Sequence, residues 1–348
     1  MSFSLRSFSL RSFEGTGVEA SFLASSGALP LVLAPAAVGM QLVSWTGDHR
    51  ALLDDALDAC GAVLFRGFHG EEALGAERFE RIAESLCSPL LASNPEHVTV
   101  TGRVQTPVAY SAKHKLLWHN ENSFNRVWPR KLLFACEEPA DAGGETPLVD
   151  SRRMFRELRP DIRDTWLHRG VMYVRNFGSA LGLPWQQVFG TNDRAEVERR
   201  CADDQVDFTW MPGDLLRTRA VRPAAIPHPR TGEWCWFNQM QHWHVASLGA
   251  ETRASLASIM PEEEFPRGCT FGDGSPIPEE HVHHILALYA ALEASFAWRR
   301  GDVLLVDNVL AAHARNPYTG QRRLLVGLGE PTPYSDASVM DEMEVGAL

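Results

Sequence analysis

The chain has no uninterrupted apolar run of the roughly 18 to 20 residues that crossing a bilayer requires, so no segment reads as a transmembrane span. It also has no C-x-x-C pair. Its six cysteines, Cys60, Cys87, Cys136, Cys201, Cys235 and Cys269, are scattered, and no secretory signal precedes them. That usage favours reduced thiols in a cytoplasm, with the cysteines acting as small buried hydrophobes. No long basic cluster interrupts a chain with 44 acidic and 33 basic residues and a formal charge of −11. Nucleic acid and anionic membrane are therefore poor partners, and an anionic substrate would need a local basic pocket.

What is present suits a soluble protein of mixed structure: 348 residues with 45% hydrophobic content are enough to bury a sizeable core. The opening MSFSLRSFSLRSFEG is rich in Ser and Arg, has no acid before Glu14, and faintly resembles a transit peptide. Residues 1–15 are read as a frayed, disordered tail and residues 16–348 as a single domain, since no low-complexity linker divides them. Asp48 to Cys60, Glu77 to Cys87, Ser151 to Arg169 and Glu279 to Ala297 read as helices. Gly61 to Gly67 is a glycine-bounded apolar run and reads as a buried strand; Gly301 to Asp307 and Arg322 to Leu328 read as two strands forming a β-pair near the end.

The chemistry begins at Trp118-His119-Asn120-Glu121. Residues two apart on an extended strand point the same way, so His119 and Glu121 can aim at one metal ion. A second H-x-[DE] triplet, His69-Gly-Glu71, opens a helix-like stretch where positions i and i+2 diverge, and it is the poorer chelate. An oxygen-activating site uses two His and one carboxylate on one face of the metal, and His313, just beyond the second-last strand, is the natural third ligand. A barrel in which early and late strands meet would bring it to His119. Arg315, Arg322 and Arg323 follow His313; a guanidinium fork is the group shaped to hold a carboxylate, and of two neighbours on a strand only one can face inward.

Five segments together carry a family resemblance: Trp118 to Phe124, Gly143 to Asp150, Gly170 to Asn176, Trp236 to Gln239, and Asp307 to Arg323 with its Ala-His-Ala-Arg-Asn-Pro-Tyr core. Over roughly residues 50 to 335 the chain resembles the taurine/clavaminate-synthase (TauD/TfdA) dioxygenase superfamily, within it the syringomycin-type aspartyl hydroxylases. The resemblance implies an α+β fold, a double-stranded β-helix (a jelly-roll or cupin-like barrel) with flanking helices. It also implies Fe(II), 2-oxoglutarate as co-substrate, and O2. Matched position by position, His119, Glu121 and His313 are the metal ligands and catalytic centre, and Thr146 binds the co-substrate carboxylate. Arg323 fits the co-substrate arginine in preference to Arg322. Many relatives have Asp where this chain has Glu121.

Such an enzyme couples oxidative decarboxylation of 2-oxoglutarate to oxidation of an unactivated C–H bond, and the protein supplies positioning and exclusion of water. Glu121 argues against halogenation, which would need the carboxylate's place vacated. Hydroxylation of an amino-acid-like metabolite, free or tethered to a carrier protein, in a specialised-metabolite pathway is the expectation. Desaturation, epoxidation or cyclisation of a free small molecule is the alternative, and a non-catalytic cupin-like binding protein the remote one. Asn120, Asn122, Ser123, Trp236, Asn238 and His242 adjoin the motifs and are the candidate substrate residues. His242-x-His244 has chelate spacing but no carboxylate beside it, so stacking or hydrogen bonding is expected there.

Overall fold

Five apolar runs with almost no charge, 31–33, 62–65, 132–136, 303–306 and 324–328, are buried along their length in the computed structural model, which describes residues 8–23, 29–68, 74–91, 98–178 and 181–334. A strand that is apolar at every position must be covered on both faces, and these are. They form most of an eight-stranded sheet ordered Val18–Phe22, Leu31–Pro35, Ala62–Phe65, Val303–Asp307, Val127–Glu138, Arg323–Pro333, Val104–Gln105, Thr99–Thr101. Alternation sends Leu133, Ala135, Val303, Leu305 and Leu325 to one face, where helices Leu42–Asp48, Arg50–Cys60 and Ala76–Cys87 cover them. Leu132, Phe134, Leu304, Val306, Leu324 and Val326 go to the other and pack with Leu148 and Ala311.

Leu148 and Ala311 belong to a second, three-stranded sheet, ordered Leu116–His119, Ala311–Arg315, Leu148–Asp150. Its outer face carries Trp118, Val149, Ala312 and Ala314, buried against helices Ser151–Glu157, Pro160–Arg169 and Glu279–Leu292. The order is thus helices, large sheet, small sheet, helices, with the inter-sheet layer as the inner core. A four-stranded sheet, Asp207–Met211, Leu215–Arg222, Val171–Phe177, Arg267–Phe271, lies beside it. No helix among the described residues is long and apolar enough to cross a membrane.

Several sequence expectations need correction. The stretch read as one helix from Ser151 to Arg169 is two, because Arg159 precedes Pro160 and is held extended at φ −49°, ψ 132°. The helix at Glu279 stops at Leu292, and Ala294 bridges to Leu148 instead. The last two apolar strands do not pair with each other: Val127–Glu138 lies between them, and Ala311–Arg315 crosses to the small sheet. Of the tail expected over 1–15, Leu10–Phe13 form a turn of 3-10 helix with Phe13 buried on Trp45, while Ser9, Arg11, Ser12, Glu14 and Gly15 are exposed. Residues 1–7 and the His69-Gly-Glu71 triplet lie outside the described residues. All six cysteines are unpaired, and five are buried.

The Arg323–Pro333 strand passes close under the Ala76–Cys87 helix. A Cβ at Gly329 would collide with the carbonyl of Cys87, whereas a Cβ at Gly47, exposed in helix Leu42–Asp48, meets nothing. Gly329→Ala is expected to cost about 1–3 kcal/mol and lower Tm by several degrees, while Gly47→Ala raises it slightly. Thermal unfolding of both variants followed by circular dichroism checks the pair; equal Tm values would contradict the close approach.

Candidate active site

His119 ends the strand Leu116–His119, and His313 is the middle residue of Ala311–Arg315. The two are direct partners in the ladder, with ring centroids 4.2 Å apart. Because Trp118, Ala312 and Ala314 face the outer core, alternation turns both imidazoles into the inter-sheet layer. Glu121 is not on the strand. It lies in the following turn, ahead of Asn122 in the left-handed region at φ 56°, so strand alternation alone does not aim it.

Its position is held by the fully buried Asn308, in the turn after Val303–Asp307. The Asn308 amide oxygen accepts from Glu121 N at 2.7 Å, and its NH2 donates to Glu121 O at 3.0 Å and Pro129 O at 2.8 Å. The Glu121 carboxylate then sits 3.4 Å from His119 Nε2 and 3.8 Å from His313 Nε2, and one ligand atom from each of the three lies within 4.8 Å of the others.

The Leu117 carbonyl receives two imidazoles, His119 Nδ1 at 2.9 Å and His242 Nε2 at 2.8 Å. A carbonyl only accepts, so each of those nitrogens donates, which leaves Nε2 as the His119 nitrogen turned toward Glu121. Burial, with His119 alongside, pushes His313 down to about 3, and burial does the same to His242. Neutral imidazole lone pairs converging on a carboxylate are electron-rich atoms facing one another. A cation between them resolves that repulsion, so the donor set fits a divalent metal with oxygen and nitrogen ligands.

Behind these three residues a narrow cavity of about 70 Å³ is lined by Phe134, Thr146, Arg315, Arg322 and Leu324, among others. Arg322 turns into it, its Nε donating to Gly144 O at 2.8 Å; burial and neighbouring Arg315 lower its pKa to about 10, which still leaves it cationic at neutral pH. Arg323, the residue the family pattern favours, points out: its side chain is 56% exposed and pairs with Glu137 at 3.1 Å. A bulge between Arg323 and Leu324 displaces the register there. Arg315 donates to the carbonyls of Tyr110, Ser111 and His114 and ties that segment down. Thr146 is buried, and its Oγ1 accepts from Trp298 Nε1 at 3.1 Å, so its own proton is left to point into the cavity.

In front of the three residues lies a wider cavity of about 260 Å³, and His119, Glu121, Asn122 and His242 reach it. Of the expected substrate residues, Trp236 and Asn238 do not. Trp236 is fully buried edge-on to Trp166, and Asn238 joins Ala224 O to Met240 N. Asn120 is likewise internal, donating to Asn308 O at 2.7 Å, and Ser123 is buried with its carbonyl accepting from Tyr334. Adjacency to a motif does not bring these four to the cavity, because their side chains or backbone are engaged in the core around it. The wall that the sequence reading missed includes Tyr110, Phe124, Gln239 and Trp243, from separate irregular segments, and Arg267, at the start of the strand Arg267–Phe271.

A second His–carboxylate group, Asp58, His228 and Asp307, has compatible spacing. Its charges are already met: Arg230 pairs with Asp58 at 2.8 Å, Arg130 with Asp307 at 3.3 Å, and Asp307 caps the amides of Val309 and Leu310. It is a structural network that holds the turn carrying Asn308.

With this geometry in hand, comparison with known proteins is direct. The family model for the taurine catabolism dioxygenase TauD, TfdA family matches residues 28–328. The dapdiamide synthesis protein DdaC of Enterobacter agglomerans is 35% identical over 283 residues, covering 80% of this chain and 85% of that one. A clavaminate synthase-like protein of Arabidopsis thaliana is 31% identical over 293 residues, with coverages of 80% and 84%. Among solved structures, PvcB of Pseudomonas aeruginosa superposes with a TM-score of 0.52 at 16% identity, covering 90% and 91% of the two chains. A taurine dioxygenase from Burkholderia xenovorans gives 0.51 at 16% identity, covering 91% of each. These structures share the fold, so the two facing sheets are a jelly roll of the expected class. The family match and two relatives above 30% identity lead to one conclusion: the chain belongs to the TauD, TfdA family and is a non-haem dioxygenase that takes Fe(II), 2-oxoglutarate and O2.

Proposed function

We propose that His119, Glu121 and His313 hold the iron, that Arg322 with Thr146 receives the distal carboxylate of 2-oxoglutarate, and that the enzyme hydroxylates an amino-acid-like metabolite, free or carrier-tethered, in specialised-metabolite biosynthesis. The observation that carries the reading is the convergence of two imidazole nitrogens and one carboxylate oxygen within 4.8 Å, with a cationic guanidinium in the cavity behind them. When bound, the iron and 2-oxoglutarate supply the oxidising chemistry, with succinate and CO2 as co-products.

The chain's own residues do the rest. His119 and His313 present neutral nitrogens, and Glu121 balances half of a divalent charge, which leaves the other half for the co-substrate. Arg322 offers the anionic end of 2-oxoglutarate a half-buried charged partner, and Phe134, Leu324 and Leu328 line the cavity along the apolar part of that molecule. Thr146 adds one hydroxyl donor. Similarity to a dapdiamide synthesis protein supports a biosynthetic role.

The ligand assignment is tested by adding Fe(II) and 2-oxoglutarate without air and recording the weak visible charge-transfer band, then admitting O2 and measuring succinate. His119→Ala, Glu121→Ala and His313→Ala are expected to lose both signals with unchanged circular dichroism; no band in well-folded wild-type protein would reject the reading. Succinate release against free amino acids and aminoacyl carrier proteins identifies the substrate form.

Arg322→Ala should raise the KM for 2-oxoglutarate by on the order of 30-fold or more, the loss of about 2 kcal/mol or more from one partner of a buried charge pair. Arg323→Ala, removing a solvent-facing pair, should leave that KM within about twofold. Steady-state kinetics on both variants separates the two arginines, and the reverse outcome would move the co-substrate site. Asn308→Ala should weaken apparent Fe(II) affinity by about 10–100-fold without lowering Tm enough to unfold the chain. Metal titration of the apoprotein measures it, and unchanged affinity would show that Glu121 is positioned otherwise.

A further inference from the structure

The cavity of about 260 Å³ that His119 and Glu121 reach is also bordered by one stretch of chain, from Gln239 to Ser247, which winds through two short turns of 3-10 helix. Most polar side chains on that stretch are spent inside the protein. Gln241 donates to Trp118 O and lies beside the Tyr289 hydroxyl, His242 donates to Leu117 O, and His244 accepts from the amide of Ala246. Gln239 is different. It is 6% exposed, its Nε2 is buried with no hydrogen-bond partner among the described residues, and it borders the cavity while its chain neighbours Asn238 and Met240 are packed in the core. Its backbone is fixed, the amide donating to the Tyr173 hydroxyl at 3.1 Å and the carbonyl accepting from His242 N at 3.0 Å. Ser247 borders the same cavity, and its Oγ is likewise buried without a partner among the described residues.

Leaving a buried polar atom unpaired costs more than a hydrogen bond returns when it is made, and native structures keep few such atoms. Two of them bordering a cavity that reaches the proposed metal site are accounted for if a ligand supplies the missing partners. What they ask for is uncharged. Of the charged groups on this cavity, Glu121 stands against the two imidazoles, and Arg267 is stacked on Trp243 and has a partner of its own. A carboxamide presents one donor edge and one acceptor edge whichever way it is turned, and its complement is another amide, which returns an N–H to the oxygen and a C=O to the nitrogen. A carboxylate only accepts. Placed against Gln239 it would set one oxygen against Oε1 and leave its charge unmet by either side chain.

We propose that Gln239, with Ser247, recognises an uncharged amide group on the substrate and so determines its class: an amide-bearing derivative of an amino-acid-like metabolite. This inference rests on the metal site proposed above, which supplies the oxidising end of the same cavity. Two sources carry the same group, the amide of a free metabolite and the amides of a carrier protein's pantetheine arm.

The test is isothermal titration of the full chain, loaded without air with Fe(II) and 2-oxoglutarate, with matched probes. One set is the L-amino acid amides against their methyl esters, which keep the charge and the carbonyl but lose the N–H; the free acids complete that set. The other is pantetheine against methyl pantothenate, which has an ester where pantetheine has its second amide. The amide member of at least one set should bind more tightly by about tenfold or more, and that set names the source. In Gln239→Met the preference over the ester should fall to within about twofold while the charge-transfer band is retained. Tm in that variant should be unchanged or raised, because an unpartnered buried carboxamide has been removed. Gln239→Asn should keep part of the preference. No preference in either set, in enzyme that shows the band, overturns the inference and leaves the metal site standing. So does a preference that survives Gln239→Met, or a fall in Tm of several degrees in that variant, which would make Gln239 a part of the fold. Absence of the band in wild-type protein is instead a failure of the metal-site reading.

Discussion

The architecture of the site depends on the register of one short ladder, in which His119 and His313 are paired across two strands of four and five residues. A slip of one residue would put Ala312 or Ala314 in the place of His313 and turn the imidazole into the outer core. Two groups of contacts resist that slip. Ala312 and Ala314 are packed into the outer cluster around Trp118 and Tyr289, where an imidazole has no room, and the same strand is fixed on its other edge by Leu148–Asp150. Pairing on both sides makes Ala311–Arg315 a central strand, and a central strand cannot slide without breaking two ladders.

Glu121 needs a separate device because it lies past the end of its strand. Asn308 supplies it by bonding both the amide and the carbonyl of Glu121, which fixes that peptide as a third strand would. The turn bearing Asn308 is held in its own right by Asp307, whose carboxylate is buried, pushed down in pKa by the hydrogen bond and charge of His228 together with Arg130 despite the desolvation that opposes it, and used to cap two amides. The charged cluster around Asp58, His228 and Asp307 therefore bears on the chemistry indirectly, through the orientation of one carboxylate about which the two imidazoles converge.

The parts of this arrangement that were legible in the sequence are those written in local pattern. The glycine-bounded run at 61–67 and the run at 301–307 announce strands because their centres, 62–65 and 303–306, are apolar at every position, and the H-x-E triplet with a distant His announces a candidate metal-binding donor set. The same uniformity hides which strands are neighbours, since a strand buried on both faces has no polar edge to mark its partner; hence Val127–Glu138 intervening between two strands expected to pair. Arg322 and Arg323 could not be separated by alternation because Arg322 precedes the strand and a bulge follows Arg323. Trp236 and Asn238 adjoin a motif in the chain yet face the core. Tyr110, Trp243 and Arg267 come together only through the tertiary fold, and no local signal marks them.

The distribution of charge follows from the same layering. An acidic chain repels anions at long range, so any anionic ligand it takes must be met by cations placed where water cannot screen them. Arg322 lies between the small cavity bounded by Phe134, Leu324 and Leu328 and an adjoining one of about 570 Å³ bounded by Tyr110, Arg315 and Tyr318. On the other side lies the cavity of about 260 Å³, whose wall is largely aromatic, with Tyr110, Phe124 and Trp243. The three residues proposed to hold the metal stand between these spaces. Because His119 and Glu121 border the space on both sides, a ligand held by Arg322 and one held against the aromatic wall would meet at the same donor atoms, and the chain need bring them together nowhere else.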